Sequence, residues 1–339
     1  MRGLFLSTEM IDVQDRDDFW RDAVKPIYDL SSTNEEVIGG FSGTLHSHPV
    51  GGMLVGSTTH NAQRYQRTHR IIAQGGMNQY ILQVIMEGNL VGNFGEVDVN
   101  AEFGDIVILD LAKTIKSNAS AGARITVVLP REELERMSGG RSLHGTVLRA
   151  NLPNTRLLLG FLKSLNDVSS DLNAAETTNA YDAVMLLLRS AVLGLGIGND
   201  TVGSINFTMR RRIMDFIDEN RTNPLLGPSL IVSQFKVSRS HLYRSFESDG
   251  GVAKLIRERR LDLAYREIIN AGPKPATLKE VAYRSGFLDA ARFAKAFSSR
   301  FGSPPKAIIK NNTPVNFSEA KIHTLHDHLS VQARKLGIW

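Results

Sequence analysis

Between residues 37 and 130 short apolar runs alternate with glycine and polar turns: VIGGFSG, GGMLVGSTT, HRIIAQ, QYILQVIMEGNLVG, DIVILDL and ARITVVLP. Runs of this length bounded by turn residues predict the strands of a sandwich or small barrel. After Pro130 the period lengthens to that of a helix. REELERMSG starts one helix, and NTRLLLGFLKSLNDV from Asn154 spaces its leucines along another. Ala174 to Leu193 sets Tyr181, Val184, Leu188 and Val192 near one face. A further helix is expected around Asp17 to Val24, within an acidic and otherwise irregular first segment. GLGIGND then interrupts the pattern and reads either as a linker or as an ordinary helix end followed by a turn.

The remainder is helical. MRRRIMDFIDENRTNP turns Ile213, Phe216 and Ile217 inward and stops at Asn223-Pro224. A short helix from Leu230 follows, then a turn near Lys236-Val237, then a helix capped by Ser238 with Leu242 and Phe246 as its apolar stripe. A long helix runs from about Val252 to Ile269. TLKEVAYRSGFLDAARFAKAFSSRFGSPP repeats the earlier shape: a helix from Leu278 to Arg284, a break at Gly286, and a second helix capped by Asp289 with Phe293 and Phe297 four apart. Two short helices joined by a tight turn outline a helix-turn-helix, whose second helix enters the DNA major groove. The two caps, Ser238 and Asp289, stand about 51 residues apart. A connecting helix of about 18 residues is roughly 27 Å long, which suits two readers on grooves about 34 Å apart.

With 339 residues and 42% hydrophobic residues the chain has material for more than one core. The net charge of +5 gains meaning from its distribution: Arg210 to Arg212, Arg257 to Arg260 and Arg292 to Lys310 put the positive charge in the helical end. No cysteine is present, which excludes disulfides, thiolate chemistry and cysteine-ligated zinc. The first residues do not form a signal peptide, and the best apolar run, from Val184, is interrupted by Arg189. A cytoplasmic protein with no membrane segment is expected. No Ser-His-Asp arrangement or phosphate loop is evident, and GLGIGND follows a helix where a nucleotide loop follows a strand. His46-x-His48 suggests the start of a metal site, but Glu87, Glu96 and Glu102 are not spaced to complete it. No metal, no cofactor and no enzymatic activity are expected.

The phrase GFLDAARFAKAFSSRFGSPPKAI, preceded by the first helix pair, resembles the signature of the AraC/XylS family of bacterial transcription regulators. The likeness covers residues 205 to 309 well. RTHRIIAQGGMNQYILQVIMEGNLVG with AEFGDIVILD resembles the cupin-like sensor of a subset of that family. The resemblance implies an α+β chain: a sensor and dimerisation domain over 1–195, a linker over 196–204, a double helix-turn-helix domain over 205–309, and an extension over 310–339. It further implies an activator controlled by a small organic inducer, a homodimer, and contact with RNA polymerase on a double-stranded DNA operator. The first helix pair departs from the pattern, with Val232 and Lys236 where the second pair has the small residues Ala282 and Gly286.

On the first reading helix Arg239, Ser240, Tyr243 and Arg244 point away from the Leu242/Phe246 stripe. By the family pattern Ser240, Tyr243 and Arg244 approach base edges, and arginine can pair bidentately with guanine. Phosphate contact or a structural ion pair is the alternative for Arg244. On the second helix Ala290 and Ala291 suit thymine methyl groups or close backbone approach. Arg292 and Lys295 suit bases or phosphates, and Ser299 and Arg300 suit phosphates. In the sensor Arg70, Gln83 and Ile85 are candidate inducer contacts, although alternation leaves the inward face undecided; for Arg70 a solvated strand edge is the alternative. Two other functions fit parts of the sequence: a constitutive architectural DNA-binding protein, and a cupin-type enzyme fused to a DNA-binding region.

Overall fold

In the computed structural model the described residues are 3–25, 27–32, 40–139, 141–196, 201–271 and 277–311, with backbone alone for 201–207 and 310–311. The chain divides between residues 199 and 200 into two compact units. The extension expected over 310–339 lies, beyond residue 311, outside the described residues.

The first unit holds twelve strands among the described residues: β1 (Leu4–Ser7), β2 (Asp29–Ser32), β3 (Gly43–Val50), β4 (Met53–His60), β5 (Gln63–Arg67), β6 (Tyr80–Ile85), β7 (Leu90–Phe94), β8 (Val97–Ala101), β9 (Ile106–Asp110), β10 (Ile115–Ala119), β11 (Gly122–Leu129) and β12 (Thr146–Leu148). They form two antiparallel sheets, ordered β1-β3-β4-β11-β6-β9-β12 and β2-β5-β10-β7-β8. Five helices join them: α1 (Arg16–Val24), α2 (His69–Gly75), α3 (Arg131–Met137), α4 (Pro153–Val168) and α5 (Ala174–Leu193).

Period-2 alternation sorts the larger sheet into two faces. On β6, Tyr80, Leu82 and Val84 pack under α4 and α5 with Leu158, Leu162, Val184 and Leu188. Ile81 and Ile85 point the other way, into the core shared with Leu90, Phe94 and Ile115 of the smaller sheet. β9 splits likewise, Ile106 and Ile108 to the helices and Val107 and Leu109 to the inner core. The close β3–β4 approach needs Gly56, where a Cβ would sit 2.0 Å from the His46 carbonyl oxygen. At the Gly104 turn Asp105 ties its own turn to the segment after β12: it accepts from Glu102 N at 3.2 Å, from Ala150 N at 2.8 Å and from Arg149 Nη1 at 2.8 Å.

One expected strand is a helix. HRIIAQ forms α2, because the Thr68 side chain caps it by accepting from Ile71 N, and Gly76, in the left-handed region, ends it. A six-residue run with adjacent isoleucines fits either period, and the caps decide it.

The second unit contains α6 (Thr201–Asn220), α7 (Pro228–Phe235), α8 (Arg239–Ser245), α9 (Val252–Ile269), α10 (Leu278–Arg284), α11 (Ala290–Phe301) and α12 (Pro305–Asn311). α6 begins at Thr201, inside the stretch read as linker. Ile213, Ile217, Ile231, Leu242, Phe246 and Ile256 form the core around α7 and α8. Around α10 and α11 the core is an aromatic run in which Phe297 touches Phe293 and Phe301, and Phe297 and Phe301 meet Tyr265 of α9. Each such buried side chain contributes roughly 2 kcal/mol through removal from water.

The two turns solve the same problem differently. Gly286 has φ +80°, and a Cβ there would stand 2.6 Å from the Arg221 carbonyl oxygen. Lys236 occupies the matching place at φ +52°, the one positive-φ residue other than glycine among the described residues. A side chain in the left-handed region costs about 1 kcal/mol. Urea unfolding followed by far-UV circular dichroism should therefore show Lys236→Gly stabilised by about 1 kcal/mol and Gly286→Ala destabilised by at least about 2 kcal/mol.

Candidate functional site

On α8 the buried side is Leu242, followed by Phe246 at the C-cap, and the opposite side exposes Arg239, Ser240, Tyr243 and Arg244. Ser238 accepts from His241 N at 3.1 Å and starts the helix. The far end is held by Arg210 of α6, whose Nη1 donates to the Ser245 carbonyl at 2.7 Å and to Asp249 at 2.8 Å over the Phe246 ring. Arg210 is buried, so it positions the reading helix instead of adding to the basic surface read from Arg210 to Arg212.

On α11 Asp289 accepts from Ala291 N and Arg292 N, which holds its carboxyl below the usual range. Phe293, Phe297 and Phe301 are buried. Ala291, Arg292, Lys295 and Ser299 are exposed and Ala290 is half-buried. Arg300 departs from the expectation of phosphate contact. Its Nε and Nη2 donate to the two Asp262 oxygens at 2.8 and 3.0 Å, and its Nη1 lies 3.3 Å from Glu258. Burial pushes the Asp262 carboxyl up, and Arg300 opposes that shift. Arg300 thus bolts α11 to α9.

In the first unit a cavity of about 90 Å³ lies between the sheets. Leu45, Leu54, Ile81 and Val128 supply apolar wall, with Trp20 and Tyr28 beside them. The polar lining includes His60, Gln63, Tyr65, Gln83 and Arg124. Of the candidate ligand residues Gln83 lines the cavity, where it accepts from Arg124 Nη1 at 3.2 Å. Ile85 faces the same interior but is packed in the core away from the cavity lining. Arg70 is exposed on α2 and does not line the cavity, because the segment is a helix and not an inward-facing strand. Arg67, two residues before that helix, is buried with donors on the Leu111 and Ile27 carbonyls at 2.8 and 2.7 Å. Arg64 is exposed and meets Asn118.

Arg124 escaped the sequence reading. In GARITVVL it shares a face with Thr126 and Val128, and Ile125 and Val127 occupy the other. Both faces are apolar enough that alternation leaves the parity open. His60 also lines the cavity. Its Nδ1 donates to the Asn61 carbonyl at 3.0 Å, and burial with the nearby Arg124 charge holds its pKa down at about 4. His46 stands at the cavity beside the Phe5 ring, 4.4 Å between centroids. Among the described residues no group of three or more His, Cys, Asp or Glu is placed to hold a metal ion, and no helix is long and apolar enough to cross a membrane.

The AraC-binding-like domain family matches residues 21–193, and a helix-turn-helix domain family matches residues 231–311. The chain belongs to the AraC family of transcription regulators. The crystal structure of the AraC-like transcriptional activator CuxR is similar over 84% of this chain and 100% of its own, with 20% identity and a TM-score of 0.54. ToxT from Vibrio cholerae O395 is similar over 81% of this chain and 99% of its own, with 13% identity and a TM-score of 0.40. At 20% identity the likeness to CuxR is one of fold. An AraC-family regulator combines a helix-turn-helix DNA-binding domain with a ligand-binding domain, and the two described surfaces fall one in each.

Two predictions follow from these side chains. Lys295→Ala should lower the slope of log affinity against log salt by about one, as loss of a phosphate contact does. Arg300→Ala should leave that slope unchanged and destabilise the second unit by about 2–4 kcal/mol, since it strands Asp262. DNA titrations at several salt concentrations and urea melts separate the two. The second concerns pH. His144 accepts from Asp110 N at 2.9 Å, so its ring is neutral, and burial lowers its pKa to about 4, as in His60. Both folded values lie below the ordinary 6.5. Their contribution is complete above about pH 6.5 and is lost as pH falls towards 4, on the order of 1–2 kcal/mol per histidine by pH 5. Thermal melts at pH 7.5 and 5 should show the drop, and His144→Gln should reduce it.

Proposed function

We propose that this regulator is a cytoplasmic activator that reads an operator through α8 and α11 and answers to a small organic effector bound in the cavity of its first unit. The observation that supports this best is the division of labour on each reading helix. One side is fixed by buried phenylalanines and by Arg210 or Arg300, and the other offers polar and basic side chains to solvent. Arg239, Ser240, Tyr243 and Arg244 would read the first groove, with Arg244 as the base-pairing arginine. Ala290, Ala291 and Arg292 would read the second, with Lys295 and Ser299 on phosphate. Phosphate contacts would supply much of the affinity and base edges the sequence choice.

The reading includes a homodimer. α4 and α5 leave Leu157 62% and Leu186 70% exposed on the sides away from their core, as helices with a second apolar contact would. Contact between RNA polymerase and the operator-bound protein completes the activator reading. Effector and operator must be linked: if the effector tightens operator binding, operator tightens effector binding by the same factor.

Arg244→Ala should lose discrimination at one or two operator positions by about 1–3 kcal/mol. Titrations against single-base operator variants at fixed salt check this, and uniform weakening on all sequences removes the base-reading role.

A further inference from the structure

We propose that the cavity takes a small carboxylate with an apolar body, and that Arg124 is its anion partner. This rests on the reading of that cavity as the effector site. Several buried or half-buried arginines of this protein are met by carboxylates or backbone carbonyls. Arg131 is paired with Asp110, Arg210 with Asp249 and Arg300 with Asp262. Arg67 spends its donors on backbone carbonyls. Arg124 is 4% exposed and has no carboxylate partner among the described residues. Its Nη1 meets Gln83 at 3.2 Å, its Nη2 meets the Asn89 carbonyl at only 3.5 Å, and its Nε has no hydrogen-bond partner. The Tyr65 ring lies 5.8 Å from the guanidinium carbon, a weak compensation for a full charge. Burial accordingly pulls the Arg124 pKa down.

A buried cation so placed favours any anion that can reach it. Arg124 lines the cavity. His60, 6% exposed, lines it too; with the ring proton on Nδ1, its partnerless Nε2 is an acceptor that suits a donor group on the ligand body and not the carboxylate. Two unmet polar atoms thus border one space whose remaining wall is largely aliphatic and aromatic. That is the composition of a ligand site, mostly apolar with a few polar anchors. One guanidinium matches one negative charge. A carboxylate fits it bidentately, whereas a phosphate dianion would leave a charge buried without a partner. Leu45, Leu54, Ile81 and Val128 then receive the body of the ligand.

The experiment compares acids with their neutral amides on the full chain. Calorimetric titrations at pH 7.5 use benzoate and benzamide, phenylacetate and phenylacetamide, and isovalerate and isovaleramide. At least one acid should bind, with its amide at least tenfold weaker. Arg124→Gln should weaken that acid at least tenfold and leave the amide unchanged, and Arg124→Lys should keep part of the affinity. If Arg124→Gln does not fold, the acid–amide comparison on the unaltered protein still decides. Binding of none of the acids, or equal binding of acid and amide, overturns the proposal. An amide that binds and shifts operator affinity would do so while leaving effector control intact, which separates the two readings.

Discussion

The guanidinium of Arg260 is where both helix pairs of the second unit meet the helix that joins them. From α9 its Nε donates to the Arg221 carbonyl at 2.8 Å, and its Nη2 to the Asn223 and Leu226 carbonyls at 2.6 and 3.3 Å. These carbonyls belong to the turn between α6 and α7. On the other side Gly286, the turn residue after α10, comes so near that a Cβ would stand 2.8 Å from Arg260 Nε. One side chain therefore fixes the connection that leads into the first pair, and together with the Arg221 carbonyl it holds, it leaves room only for glycine in the turn of the second. The positive φ at Gly286 and the close approach are one constraint. Arg300 and Asp262 add a second bolt between α9 and α11. With α9 about 27 Å long, the reading helices are held at a set separation.

The first unit relies on the same chemistry to different effect. Arg131 joins α3 to Asp110 of β9, and Arg149 joins the end of β12 to the Asp105 turn. Burial pushes the Asp110 carboxyl up, but Arg131 and the Ala112 N–H outweigh it and hold it below the usual range. Such pairs specify geometry because leaving either partner alone is costly. Arg124 breaks the rule, and it does so at the cavity. Arg131, Arg210 and Arg300 are met by carboxylates, whereas Arg124 has none among the described residues and faces an apolar space, so this unusual electrostatic feature lies where a ligand would be read.

Much of this was legible from sequence where several local signals agreed. Ser238 and Asp289 each offered a cap, each was followed by an apolar stripe, and the structure uses both caps. Ala174 to Leu193 likewise showed its inner face through Val184, Leu188 and Val192, all fully buried. The failures came where one local pattern serves two structures. HRIIAQ is apolar enough for a strand, and only the Thr68 cap and Gly76 made it α2. On β11 both faces are buried, so nothing local says that Arg124 points inward with Val128. Arg300 looked like any basic residue late in a reading helix; its partners Glu258 and Asp262 lie some 40 positions earlier, on α9. Long-range partners are invisible to periodicity.

The central claim is that α9 holds two readers at one spacing. Its most direct test is operator affinity after insertion of about five base pairs between the two contacted major-groove segments, half a helical turn. A rigid two-reader unit predicts that the insertion removes the second contact and weakens binding at least tenfold, with protection confined to one segment. Unchanged affinity, with both segments still protected, would contradict it.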